Sequence, residues 1–174
     1  MREYVTDALV LAKEPLRDQD GRYFFFTKRY GKMVGKATSS RKITSKLAGH
    51  LEPGSFARVR FIERDGNGSN GNGSAQIADA LKYGRAAAAL GDLERLSRIL
   101  AEGEPDAALW EALPQFSWSA ILSLLGWDAR HAACDHCGGS AEAFFILRQE
   151  FFCVRCASKL PSDALILVDT RAGG

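Results

Sequence analysis

The four cysteines of this chain fall into two pairs of identical spacing, Cys134-Asp-His-Cys137 and Cys153-Val-Arg-Cys156, with fifteen residues between them. Two intervening residues let a tight knuckle turn both sulfurs of a pair toward one point, and two facing knuckles make a tetrahedral cage of four thiolates. That spacing reads as a zinc site with Cys134, Cys137, Cys153 and Cys156 as ligands. A closed cage keeps no coordination position open for substrate, so Zn2+ here is structural and its binding energy is folding energy. A rubredoxin-like iron site would use the same ligands. Two disulfides or a catalytic dithiol are the other readings; disulfides need an oxidising compartment, whereas Met1-Arg2-Glu3 runs straight into a strand without a signal peptide. With four thiolates at hand, His131 and His136 are expected to be exposed.

The cage needs elements to hold it. Gly138 and Gly139 follow the first knuckle, where the turn requires a positive φ, and Phe144 to Leu147 reads as a strand leading to the second pair. Leu165 to Val168 reads as a last short strand. Upstream, Leu90, Leu93, Leu96 and Leu100 form a helical stripe that Gly103 ends, with Gly91-Asp92 a possible break. Pro105-Asp106 opens a second helix through Leu109, Trp110 and Leu113. Phe116 to Leu125 is apolar on nearly every face, which predicts burial between a barrel and the ribbon.

Before Tyr83 the periodicity is two. Tyr4 to Ala12 reads as a strand with Val5, Leu9 and Leu11 on its apolar side. Tyr23 to Thr27, Met33 to Thr38, Phe56 to Ile62 and Ala75 to Lys82 make four more, and the Gly, Asn and Ser run from Gly66 to Ser74 reads as a mobile loop. The expected fold is α+β: a five-stranded OB-type barrel over residues 1–82, then a small helical region over 83–174 that carries the zinc ribbon at about 131–160. At 46% hydrophobic and 25% charged the composition is that of an ordinary globular protein, and no apolar run has membrane-spanning length, so the chain reads as cytoplasmic with no membrane partner.

Charge is where composition becomes informative. The net charge is only +2, yet residues 28–64 hold ten basic side chains against two acidic ones. A concentration of that kind points to a polyanionic partner. OB barrels bind nucleic-acid strands across their second and third strands, between the loops that follow the first and fourth. Those elements carry Lys28, Arg29, Lys32, Lys36, Arg41, Lys42 and Lys46, with Arg58, Arg60 and Arg64 on and after the next strand. Tyr30, in the turn, and Tyr23 and Phe25 could present flat surfaces to bases; the plainer reading of Phe25 is barrel core.

The order of these parts resembles a family. Ala8-Leu9-Val10-Leu11, Phe25-Phe26-Thr27 followed by Tyr30-Gly31-Lys32, and Leu51-Glu52-Pro53 before a basic strand are similar to the OB domain of RecO recombination mediator and DNA repair proteins. Glu102-Gly103-Glu104-Pro105-Asp106 with Leu109-Trp110, and above all Leu124-Leu125-Gly126-Trp127 leading to Cys134-Asp-His-Cys137-Gly138, resemble that family's helical region and the start of its zinc finger. The resemblance implies binding of single- and double-stranded DNA, annealing of complementary strands, and recombinase loading with RecR as partner on DNA coated with single-strand-binding protein. Family members run on for several helices after the second cysteine pair, where this chain has only a short stretch, and Gln149-Glu150 stands where many relatives have glycines.

Three classes of function follow from these residues. A non-catalytic DNA-binding mediator uses the basic stretch directly. A protein-interaction module with a structural zinc ribbon, and no direct nucleic-acid role, turns the same charge toward an acidic partner. An enzyme has the least support, because the Gly-rich segment lacks the Lys-Ser/Thr of a phosphate loop and there is no recognisable Ser/His/Asp set or carboxylate pair.

Overall fold

The computed structural model describes residues 1–17, 19–40, 45–63 and 75–168. The Gly66 to Ser74 loop and Arg64 lie outside them. Five strands form the first part of the chain: β1 (Arg2–Pro15), β2 (Gly21–Thr27), β3 (Gly31–Ala37), β4 (Ser55–Glu63) and β5 (Ala75–Arg85). They close in the order β1-β2-β3-β5-β4, because β1 pairs with β2 along one edge and with β4 along the other. All neighbours are antiparallel except β3 and β5, whose parallel pairing among the described residues is Gly35↔Ala75 and Lys36↔Gln76. This is the strand order of the expected OB-type barrel.

Ala8, Val10, Tyr23, Phe25, Ala57, Val59, Phe61 and Ile77 fill the interior. The parity of β1 is thus the reverse of the one its leucines suggest. Tyr4, Ala8 and Val10 point inward, while Val5 is 45% exposed and Leu9 and Leu11 are buried on the other side of the strand. That other side is covered because α1 (Leu90–Ile99) packs on β1 and β2. A strand buried on both faces carries a continuous apolar run instead of an alternation, which is what Ala8-Leu9-Val10-Leu11 is. Leu93 and Leu96 are the fully buried members of the α1 stripe; Leu90 is 58% exposed, and the helix runs through Gly91-Asp92 unbroken.

The compact unit built on the barrel extends from Met1 to Trp110 and a second begins at Glu111, so the division falls later than residue 82. Two contacts explain the extension. Phe26 and Phe56 on the outer barrel surface both meet the Trp110 ring, at 6.4 and 5.5 Å between centroids. The segment between α1 and α2 (Ala107–Ala112) docks on β3, where Gly103 N–H donates to the Lys32 carbonyl. Asp106 caps α2 by accepting from Leu109 N–H at 2.9 Å.

In the second unit, α3 (Trp118–Leu124) buries Ile121 and Leu122 and leaves Leu124 42% exposed. The apolar run from Phe116 is therefore not enclosed on every face. Beyond it, β6 (Ala143–Phe145) sits between β7 (Glu150–Phe152) and β8 (Leu165–Leu167), with the short α4 (Val154–Ala157) after the hairpin. The Phe144 ring, fully buried, meets Trp127 and Phe151 at about 5 Å and is the centre of this small core. Among the described residues no helix is long and apolar enough to cross a membrane.

Candidate metal centre and nucleic-acid interface

The four cysteine sulfurs converge: all lie within 4.8 Å of one another, none is in a disulfide, and Cys137 Sγ is 3.7 Å from Cys153 Sγ. A tetrahedral zinc with Zn–S bonds of about 2.3 Å has sulfur–sulfur edges of about 3.8 Å, so the donor set and its spacing fit such an ion. His131 and His136 are both exposed and stand outside the cluster.

Backbone geometry aims the sulfurs. Cys134 N–H donates to Gly139 O at 2.7 Å and Gly138 N–H to Cys134 O at 2.8 Å, and Gly138 has a φ of +73°. Cys153 stands at the start of α4, its carbonyl accepting from Ala157 N–H. The two knuckles are latched by Asp135, whose N–H donates to Phe151 O at 2.9 Å while its carboxylate accepts from Phe151 N–H at 2.7 Å. Glu142 repeats the arrangement one step along, accepting from Val154 N–H at 3.2 Å and donating its own N–H to Phe152 O.

The same geometry sorts the protons. Burial pushes the Cys134 thiol up, but the N–H groups of Cys153, His136 and Cys137 outweigh it and bring the thiol down to about 6. Cys153 is lowered, first by the Cys156 N–H. Cys156 is pushed up to about 12, first by its hydrogen bond with the Cys153 sulfur and then by burial. Each knuckle thus supplies one sulfur inclined to the thiolate form, and a dication held by the four cysteines would displace the protons of the others.

On the barrel, the turn between β2 and β3 is pinned by Thr27. Its buried hydroxyl donates to Gly31 O at 2.9 Å and accepts from Tyr30 N–H at 3.0 Å, which leaves Lys28 and Arg29 exposed at the tip. The Tyr30 ring lies 4.9 Å from that of Tyr4, which stacks on Phe61 and donates its hydroxyl to Glu63 at 2.9 Å. Lys36 and Lys46 are exposed; they and Arg29 have no ion-pair partner among the described residues. Arg41 and Lys42 lie outside those residues.

Three of the basic residues are engaged elsewhere. Lys32 turns its ammonium to the C-terminal end of α1, donating to Ser97 O at 2.6 Å and Leu100 O at 3.4 Å, where a cation meets the negative end of the helix. Arg58 pairs with Asp7 at 3.0 Å and Arg60 with Glu3 at 3.2 Å on the outer side of β4. Those pairs are solvent-exposed and individually weak. Lys32→Met should therefore cost the barrel about 1–2 kcal/mol in a denaturant titration and leave the salt dependence of any oligonucleotide binding unchanged.

Comparison with known proteins bears on this unit. The family model described as "Recombination protein O N terminal" matches residues 1–79, which take in β1 to β4 and the start of β5. This part of the chain thus matches the N-terminal domain of the RecO family. The chain is also 36% identical over 64 residues to the DNA repair protein RecO of Thermodesulfovibrio yellowstonii, a match covering 37% of this chain and 26% of that protein. The chain thus aligns with about a quarter of the length of that relative.

In the barrel, Tyr23 and Phe25 are 4% and 0% exposed and belong to the interior, which is the plainer reading of Phe25, so neither can receive a base. The outward-facing residues of the β2–β3 ribbon are Arg22, Phe24, Val34 and Lys36, with Phe26 and Lys32 at the end that Trp110 and α1 cover. Phe24 is the ring that sequence reasoning passed over. The available signal was alternation: once Phe25 is assigned to the core, Phe24 must face out.

Proposed function

We propose that this chain is a non-catalytic recombination mediator of DNA repair that binds single- and double-stranded DNA through its barrel. On this reading it anneals complementary strands and assists recombinase loading with a RecR-like partner on DNA covered by single-strand-binding protein. The four-cysteine centre holds zinc and keeps the second unit folded. The observation that carries the proposal is the RecO N-terminal match over residues 1–79, falling on a barrel whose exposed cations without an ion-pair partner among the described residues include Arg29 at the β2–β3 turn and Lys36 at the far end of β3. Side chains so placed neutralise phosphates without reading sequence.

The test is affinity against salt. Binding of a labelled single-stranded oligonucleotide should weaken with a log–log slope of about −0.7 per phosphate contacted. An Arg29→Glu/Lys36→Glu variant should lower both the affinity and the slope. Arg58→Ala/Arg60→Ala, which removes cations already paired, should change the slope less. No binding at low salt, or binding indifferent to salt, would end the proposal.

The interaction-module reading has one observation of its own. The outer side of β1, β4 and β5 exposes Val5, Leu81 at 63% and Tyr83 at 57% beside the Arg58–Asp7 and Arg60–Glu3 pairs, a mixture suited to a protein partner. A partner held there stays bound in excess oligonucleotide, and one held by the basic turn does not.

A further inference from the structure

We propose that Phe24 is the surface on which the barrel stacks an unpaired nucleobase. The inference rests on the nucleic-acid reading above and adds to it a residue, a location and a preference for unpaired strands. The chain has seventeen aromatic side chains, four Tyr, ten Phe and three Trp. Sixteen of them, all described, lie against another ring. Phe24 alone has no ring contact among the described residues, and it is half-buried on the outer side of β2. An aromatic ring on the outer side of a strand that no other ring of the chain covers is available to a flat partner from outside the chain.

Its surroundings indicate what that is. Phe24 lines an open groove of about 360 Å³ between the outer side of β1 and β2 and the α1 helix, together with Ala12, Lys32, Glu94, Ser97 and Arg98. Lys36 lies diagonally across the ribbon from Phe24, two residues beyond its direct partner Val34, and opposite Arg22. Diagonal partners of this kind are about 7–8 Å apart, so a flat apolar surface has within reach an exposed ammonium that pairs with no carboxylate among the described residues. Arg22 adds a second cation, leaning on Glu14 at 3.8 Å. A ring to stack on and cations for the backbone are the two components of single-strand recognition. Ser97 and Glu94 on the α1 side offer a hydroxyl and a carboxylate, groups that pair with base edges. The site also lies where OB barrels engage strands, on the second and third strands next to the loop after the first. The lower part of that ribbon is taken by the chain itself, since Trp110 lies on Phe26 and Lys32 is committed to α1.

The occupant is thus an unpaired base, because the internal base pairs of a duplex are stacked on both faces and only its two ends offer a free one. The experiment measures fluorescence anisotropy of a dT oligonucleotide, an abasic oligonucleotide of equal length and a blunt duplex with the full chain at one low salt concentration. The expected result is that Phe24→Ala weakens binding of the dT strand by about 5- to 150-fold, the range of stacking losses on alanine substitution. The same variant should leave the abasic strand and the duplex within about twofold of the unaltered protein, and Phe24→Tyr should restore dT binding. A second measurement needs no variant: a strand carrying 5-iododeoxyuridine, irradiated on the unaltered protein, should place its crosslink on the peptide containing Phe24. Equal dT binding by Phe24→Ala, or a crosslink mapping elsewhere, would overturn the stacking site while the nucleic-acid reading stands. If the unaltered protein binds none of the three ligands, the parent reading fails instead.

Discussion

Removing the metal is expected to unfold the unit that begins at Glu111 and to leave the barrel unit folded. The second unit has little else to hold it. Among its described residues the three strands are three residues each, the α-helices α3 and α4 span seven and four residues, and the core centres on Phe144 with Trp127 and Phe151. Cores of that size seldom stabilise a fold alone, whereas a four-thiolate zinc site contributes on the order of 10–16 kcal/mol of apparent binding energy, all of it coupled to folding. The barrel has its own closed hydrogen-bond ladder and interior. Purified protein should contain one equivalent of zinc by elemental analysis. Stripped with a strong chelator, or carrying Cys153→Ser, it should gain protease cleavage sites beyond residue 111 and none within β1 to β5, and restoring zinc to the stripped protein should reverse the change. Unaltered protease resistance in the metal-free protein would show that the knuckles hold without an ion. Iron in place of zinc would correct the metal and keep the cage.

Gly31→Ala is expected to be the most damaging single substitution in the barrel turn. Gly31 has a φ of +64°, a left-handed conformation that costs a residue with a Cβ about 1–2 kcal/mol. It also lies directly beneath the backbone of Glu104, and an added Cβ would land on that segment's peptide group. Backbone cannot yield as a side-chain end can, and overpacking of this kind adds about 1–3 kcal/mol. The combined loss of about 2–5 kcal/mol should lower the barrel's melting temperature by roughly 8 °C or more. Gly49→Ala is the control: that glycine has an ordinary φ and nothing within 4 Å of the added carbon, so its effect should stay within about 0.5 kcal/mol. Similar melting points for the two variants would mean that the 102–104 segment is not held against β3.

The two parts of this chain differ in how much their residues disclose. The cysteine centre is readable outright, since spacing alone sets where two knuckles can aim their sulfurs, and four sulfurs within 4.8 Å follow from it. The five strands are readable too, because turn residues and short apolar runs bound them. What periodicity cannot give is which side of a strand faces the interior when both sides are covered. Leu9 and Leu11 look like barrel core and instead lie on the side that α1 covers, a cover supplied by residues eighty positions away. Phe25 and Phe24 carry the same ring, and only the closed ladder decides that one is interior and the other a surface. Charge misleads for the same reason. Lys32 counts toward a basic stretch in sequence, yet its ammonium is spent on the carbonyls ending α1, a helix the stretch does not contain.

The narrow parallel seam between β3 and β5 bears on the order in which the protein assembles. β1, β2 and β3 are joined by short turns and can form as a meander while synthesis is still under way, since local pairings need little loop closure. The seam must wait for residues 75 and 76, and the edge of β3 at Lys32 stays unpaired until Gly103 arrives to donate its N–H. At ribosomal speeds of roughly 5–20 residues per second, a nascent chain therefore passes several seconds with a bare strand edge, the interval in which chaperone protection would matter most.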